Sequence, residues 1–245
     1  MTDGKPCDVL PEHPSFTLVG YPKLRSMEET DPHVRVFSIA KFREAFSIAG
    51  TEYSKNVVYP KNEWDWAKDF DKEVRVLQAL LVKQPKSDEL KAFLAKARSS
   101  EARKFDDFPQ MPFLPMWEAS QAFFTRPQYI NFKNGRGVFF LTQWNTETSK
   151  VTNDGLDYAF QGMTNDGQYY VYAEFAVTAP FLPNDNDSDV AAWNQKNYLL
   201  PQKCKQYQDY LRPIVAKLRT LPANQFRPDL GLIEKLIVSM EVHPN

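Results

Sequence analysis

Gln128-Tyr129-Ile130-Asn131-Phe132-Lys133-Asn134-Gly135-Arg136-Gly137-Val138 opens a block, running to Pro183, whose reading decides the fold. Further along it comes Tyr158-Ala159-Phe160-Gln161-Gly162-Met163-Thr164-Asn165-Asp166-Gly167-Gln168-Tyr169-Tyr170-Val171. Asn134-Gly135 and Asp166-Gly167 each stand between runs that alternate apolar and polar residues. Such dipeptides supply the positive φ angles of tight hairpin turns, so the block predicts an antiparallel meander with both glycines at positive φ. Its runs are Tyr129 to Phe132, Val138 to Trp144, Leu156 to Met163 and Gln168 to Val177. Leu156, Tyr158 and Phe160 share one face of the third run. Tyr169, Val171, Ala173, Phe175 and Val177 share one face of the fourth, with Tyr170, Tyr172 and Glu174 on the other. A polar loop over 145–155 joins the second run to the third.

Upstream, Ser15 to Val19 and Val34 to Ser38 read as two further strands. Ile39 to Ala49 takes helical spacing, with Gly50 at the stop. An aromatic loop covers 51–67. From Lys68, the residues Phe70, Val74, Leu77 and Leu81 form one helical stripe that Gln84-Pro85 ends. A stripe so apolar needs a partner, and the Tyr169, Val171 and Phe175 face of the sheet is the expected one. Leu90, Phe93, Leu94 and Ala97 mark a second helix with Ser87 as its cap. Met116 to Phe124 reads as a short helix leading into the sheet. In the last third, Tyr207, Tyr210, Leu211, Val215 and Leu218 make a stripe interrupted or kinked near Pro213. Leu232, Ile233, Leu236, Ile237 and Met240 make a final one. The expectation is an N-terminal arm over 1–14 and a single α+β domain over 15–245. That domain holds a mostly antiparallel meander of about six strands, with helices packed on one face.

The chain has 245 residues, of which 42 % are hydrophobic and 14 % aromatic, ample to build a core. Lys plus Arg number 30 against 31 Asp plus Glu, a balance that gives no electrostatic case for nucleic acid. No run approaches the roughly 18 apolar residues that cross a bilayer, so no transmembrane segment is expected. The start, Met1 to Cys7, lacks the basic beginning and apolar run of a leader, which fits a cytoplasmic protein or a chain whose leader has been removed. Cys7 and Cys204 are compatible with one disulfide and equally with two free thiols.

Neither a metal site nor a cofactor is expected. The three histidines, His13, His33 and His243, lack helical zinc spacing, and the two cysteines lie far apart. Asn134-Gly135-Arg136-Gly137 lies between strands, where a turn is favoured over a phosphate cradle. Asp185-Asn186-Asp187-Ser188-Asp189 starts like a calcium loop but has Val190 at the sixth position and Lys196 at the twelfth, so helix capping is the better reading. Two options carry function. Asp154, Asp157 and Glu174 fall near the sheet and could serve as an acid and base. Tyr59, Trp64 and Trp66 could border a pocket with Tyr170 and Tyr172 as floor, taking a sugar, a peptide or a lipid-like ligand. The alternative for the two floor residues is that a helix covers them.

The middle of the chain resembles a recurrent segment of uncharacterised bacterial exported proteins, many of them lipoproteins. The resemblance rests on Tyr129 to Val138, on Phe140-Leu141-Thr142-Gln143 and on Tyr158 to Val171. Phe175-Ala176-Val177, Leu182-Pro183, Gly20-Tyr21-Pro22 and Phe226-Arg227-Pro228-Asp229-Leu230 also match that pattern. It implies export, and it brings no activity with it. The chain departs from the pattern in the 145–155 loop and the 51–67 insertion, the places where function would vary. The leading expectation is a non-enzymatic secreted or envelope-associated binding or accessory module, with a small ligand or protein partner. The alternatives are an exported hydrolytic enzyme using carboxylates near the sheet, and an inhibitory or structural partner of another protein.

Overall fold

The computed structural model describes residues 34–44, 47, 66–97, 110–114, 119–198, 200 and 204–243. The expected strand over 15–19, the arm over 1–14, most of the 51–67 loop and Cys7 lie outside them. Five strands, β1 (Val34–Ser38), β2 (Ser120–Phe132), β3 (Gly135–Asn145), β4 (Asp157–Thr164) and β5 (Tyr169–Ala176), make one antiparallel sheet. Its order is β1-β5-β4-β3-β2, so β2 to β5 form the meander and β1 closes the far edge against β5. The α+β class and the meander are as the sequence predicts, while the described strands number five rather than about six. Helices α1 (Trp66–Lys83), α2 (Ser87–Ala97), α3 (Ser188–Asn197), α4 (Lys205–Thr220) and α5 (Leu230–Val238) surround it.

The helices pack on both faces rather than one. Adjacent residues of a strand point to opposite faces, and here both sets are apolar. Phe139, Leu141, Tyr158, Phe160, Val171, Ala173 and Phe175 share a core with Tyr207, Leu211 and Leu218 of α4 and Leu230, Ile233 and Ile237 of α5. Val138, Phe140, Ala159, Met163, Tyr170 and Tyr172 share a second core with Phe70, Val74, Leu77 and Leu81 of α1 and Leu90 and Leu94 of α2. The stripe of α1 is therefore read correctly from its spacing but meets Tyr170 and Tyr172, not Tyr169, Val171 and Phe175. The Tyr-rich face reads as half polar because each phenol carries a hydroxyl, yet most of each ring is apolar area.

Three local expectations change. Ser120 to Phe124 is strand, not helix: β2 starts there and runs 13 residues with register breaks at Gln121/Phe123 and Thr125/Gln128. The second break accommodates Pro127, which has no N–H to give the ladder, and puts Arg126 at φ 56°. Gly167 lies at φ 69° as its turn demands, but Gly135 does not have positive φ. Its glycine is required by close approach: a Cβ there would fall 2.0 Å from Phe132 Cζ and 2.5 Å from the Met163 carbonyl. Gly137 likewise lies under the Phe160 ring, where a Cβ would come within 2.2 Å of Cζ. Third, α4 is not interrupted at Pro213, which lies inside its single span, and in α5 Leu232 and Leu236 are 62 % and 53 % exposed.

Candidate functional site

The hairpin turns of β2–β3 and β4–β5 lie at one end of the sheet. At the other end, β3 finishes with Trp144, β4 begins with Asp157 and β5 nears its end at Glu174. All three side chains point to the α1/α2 face. Asp157 pairs with Ala176 and Ala159 with Glu174, so the two acids are diagonal neighbours across β4 and β5. That relation sets them roughly 7 Å apart. The Trp144 indole Nε1 donates to Glu174 Oε1 at 2.5 Å. Asp157, Glu174 and Trp144 are each half-buried.

Phe113 completes the wall. Gln121 on β2 holds the incoming segment by accepting from the Met111 N–H at 2.9 Å and donating to the Met111 carbonyl at 3.3 Å. This sets Phe113 against Trp144 with ring centres 4.5 Å apart, and edge-on to Tyr172 at 5.1 Å. The Tyr172 hydroxyl is buried without a hydrogen-bond partner of normal geometry, and lies close enough to Glu174 and Asp157 to feel both charges.

Burial, and then the charge of Glu174, push the Asp157 carboxyl up to about 7. Both effects disfavour a second negative charge in a partly dehydrated site. The Tyr172 phenol is pushed above its ordinary value by the same burial and then by Glu174. Among the described residues neither carboxylate forms an ion pair. The arrangement can therefore hold a proton on Asp157 near neutral pH, accept hydrogen bonds or a cation at Glu174, and present the half-exposed Trp144 indole, whose ring packs on Phe113.

Of the residues singled out in the sequence, the structure joins Asp157 to Glu174 and leaves Asp154 apart, where its Oδ2 accepts from the Asp185 N–H. Tyr170 and Tyr172 are 0 % and 2 % exposed under the α1 side, and the Tyr170 hydroxyl donates to Gln161 Oε1 at 3.0 Å. Tyr59 and Trp64 lie outside the described residues, and Trp66 is the first residue of α1. Trp144 and Phe113 were not singled out. Trp144 has the same strand parity as Phe140 and Thr142 and could have been placed on this face once the pairing of β3 with β4 was known. Phe113 carries no such signal, because a tertiary hydrogen bond places it.

The 145–155 loop is pinned rather than open. Asn145 Nδ2 donates to the Tyr207 hydroxyl at 3.1 Å, which donates to the Ser149 carbonyl at 2.9 Å. The Val151 N–H donates to the Tyr210 hydroxyl at 2.8 Å, and the Lys150 N–H to Asn194 Oδ1 at 2.7 Å. The buried Gln143 amide fastens it from inside, donating to Asn145 Oδ1 and the Lys150 carbonyl. At the acidic stretch, α3 begins at Ser188 with Asp187 at its cap position, and Asp189 pairs with Lys150. Among the described residues no group of three or more His, Cys, Asp or Glu could hold a metal ion, and no helix is long and apolar enough to cross a membrane. Cys204 stands at the position before α4 and makes no side-chain hydrogen bond to the helix start.

Fold and site together define an α+β domain whose sheet carries an acidic, aromatic-walled end. Comparison of the chain with protein-family models, with curated proteins and with solved structures finds no match.

Proposed function

We propose that this chain is a non-enzymatic binding or accessory module of the cell envelope or the secreted fraction, and that its recognition site is the Asp157, Glu174 and Trp144 end of the sheet. The export part rests on the resemblance of Tyr129 to Val138 and Tyr158 to Val171 to exported proteins. The site rests on one observation above the others: two half-buried carboxylates, which form no ion pair among the described residues, stand beside a half-exposed indole, with the buried Tyr172 phenol against Glu174. Buried charge left without a partner is costly, and such an arrangement is retained where a ligand completes it. A panel of sugars, peptides and amines read by tryptophan fluorescence tests this. A response is expected from the parent and is expected to vanish in Trp144→Phe and Glu174→Gln. A panel that leaves the emission unchanged, or a response that survives both substitutions, would sink the assignment.

The Asp157 carboxyl, held up to about 7 beside Glu174, favours a second reading, an exported hydrolase with Asp157 as proton donor and Glu174 as base. Turnover of chromogenic esters or glycosides that Asp157→Asn abolishes would establish it over the first.

A further inference from the structure

The β2–β3 turn, at the end of the sheet away from the acids, holds a step of the chain that can react with itself. Asn134-Gly135 is the chain's one Asn-Gly pair. Asparagine before glycine is open to attack on its own side chain, because glycine has no Cβ to crowd the following backbone nitrogen. In the folded chain the Asn134 amide is held at both ends. Its Nδ2 donates to the Val242 carbonyl at 2.6 Å, and its Oδ1 accepts from the Val242 N–H at 3.0 Å. One primary amide thus reads both backbone groups of one residue, which fixes its orientation as well as its place. Neighbouring contacts act on the same segment. The Lys133 N–H donates to the Met240 carbonyl at 3.1 Å, and Lys133 Nζ meets Glu241 Oε2 at 3.3 Å. Val242 itself is buried in the core on the α4 and α5 side. Residues 240–242 therefore form a strap that leaves α5 and closes over the turn.

We propose that Asn134 is a deamidation site gated by this strap, and that the reaction, once it has occurred, prevents the strap from closing as before. The Gly135 nitrogen attacks Asn134 Cγ and a nitrogen–carbon bond forms. The Cγ–Nδ2 bond breaks, and Nδ2 leaves as ammonia with the Gly135 amide proton. Water then opens the succinimide ring at either carbonyl, leaving aspartate or isoaspartate. Attack requires Cγ to turn towards the Gly135 nitrogen, and while Val242 holds both amide atoms that rotation is barred. Opening of the strap frees it, so the rate follows the fraction of open strap rather than the stability of the whole fold. The product has no amide N–H. A carboxylate oxygen set against the Val242 carbonyl is acceptor against acceptor, so the donor half of the clasp is lost. Isoaspartate also lengthens the main chain by a carbon, beside a Gly135 already packed under the Phe132 ring. This reading is independent of the binding role given to the Asp157 end of the sheet.

The unmodified full chain is incubated at mildly alkaline pH, folded and in unfolding urea, and Asn134 conversion is followed by peptide mass spectrometry. The folded chain is expected to convert at least about tenfold more slowly, the protection that two hydrogen bonds supply. In urea below the unfolding transition, conversion is expected to track hydrogen exchange at the Lys133 amide, which the Met240 carbonyl protects, and not exchange at the β3 amides. Val242→Pro removes the N–H that binds Asn134 Oδ1, and is expected to convert several-fold faster than the folded parent. Asn134→Asp is expected to speed exchange at the Lys133 amide and leave the β3 amides unchanged. Equal rates in the folded and unfolded chain, or no conversion of Asn134 in urea, would overturn the site. Conversion that tracks the β3 amides, or a folded Val242→Pro chain that keeps the parent's rate, would overturn the gate. An unchanged Lys133 amide in Asn134→Asp would overturn the release of the strap. The parent comparisons need no variant, so a substitution that fails to fold does not spare the proposal.

Discussion

Asp157→Asn is expected to stabilise the protein at alkaline pH and to flatten its stability profile. In the folded chain Asp157 keeps its proton up to about 7, against an ordinary value of 3.8. The folded state therefore binds a proton across that interval that the unfolded state has lost. Stability from this group is full below the unfolded value and falls by about 1.4 kcal/mol per pH unit until the folded value is passed. A rise of about three units sets a ceiling of about 4 kcal/mol, and the partial exposure of the carboxyl brings the expected loss down to about 2 kcal/mol. Asparagine matches the protonated acid in shape and cannot ionise, so the variant is expected to keep that energy at about pH 8. Urea unfolding midpoints of parent and variant, taken at intervals from about pH 5 to about pH 9 and converted with measured m-values, test this. The two curves should diverge with rising pH. Parallel curves, or a parent that gains on the variant towards alkaline pH, would refute the burial argument. The carboxylates held low by partners, Asp71 by Arg43, Asp189 by Lys150 and Asp209 by Lys205, act with the opposite sign and only below the ordinary carboxylate range.

Glu174→Gln should shift the same profile only in part, because burial is the larger cause of the Asp157 rise and Glu174 the smaller; an unchanged profile would mean that the two acids do not interact. Gly135→Ala should cost about 1–3 kcal/mol by thermal melting, since its methyl would collide with the Phe132 ring, whereas a neutral result would place that ring elsewhere. Leu77→Ala, fully buried on the α1 stripe, should cost about 2–5 kcal/mol in urea unfolding, and a loss near zero would detach α1 from the sheet. Tyr207→Phe removes the group that links Asn145 to Ser149 and should cost about 1–3 kcal/mol, readable as a lower melting midpoint; no change would mean the loop is not held there.

The meander was legible because period-two alternation and an Asp-Gly turn act within a few residues of each other. So was the helical stripe of α1, whose partner face was not. That choice depends on which face of β5 the chain covers first and from which side, and both faces are apolar enough to be covered. Gly135 shows the same limit: the dipeptide marks the turn, but the reason for glycine is a ring contributed by Phe132 and a carbonyl contributed by β4. The start of β2 was missed because its alternation is broken twice by bulges. Asp157 and Glu174 could be named as candidates from their strand positions, yet their adjacency needs the register of β4 on β5. The burial that raises Asp157 needs the whole layer above it.

The pinned loop between β3 and β4 has a consequence for how the chain is made. Gln143 and Asn145 leave the ribosome well before Tyr207 and Tyr210, the hydroxyls that satisfy this corner of the sheet. At a synthesis rate of roughly 5–20 residues per second, the corner waits for several seconds with its amides facing water. During that interval the nascent meander has one apolar face without the helices that cover it, and a chaperone that binds apolar strands would find its target there. Slowing translation downstream of Asn145 should lengthen that exposure, and placing α4 earlier by circular permutation should shorten it.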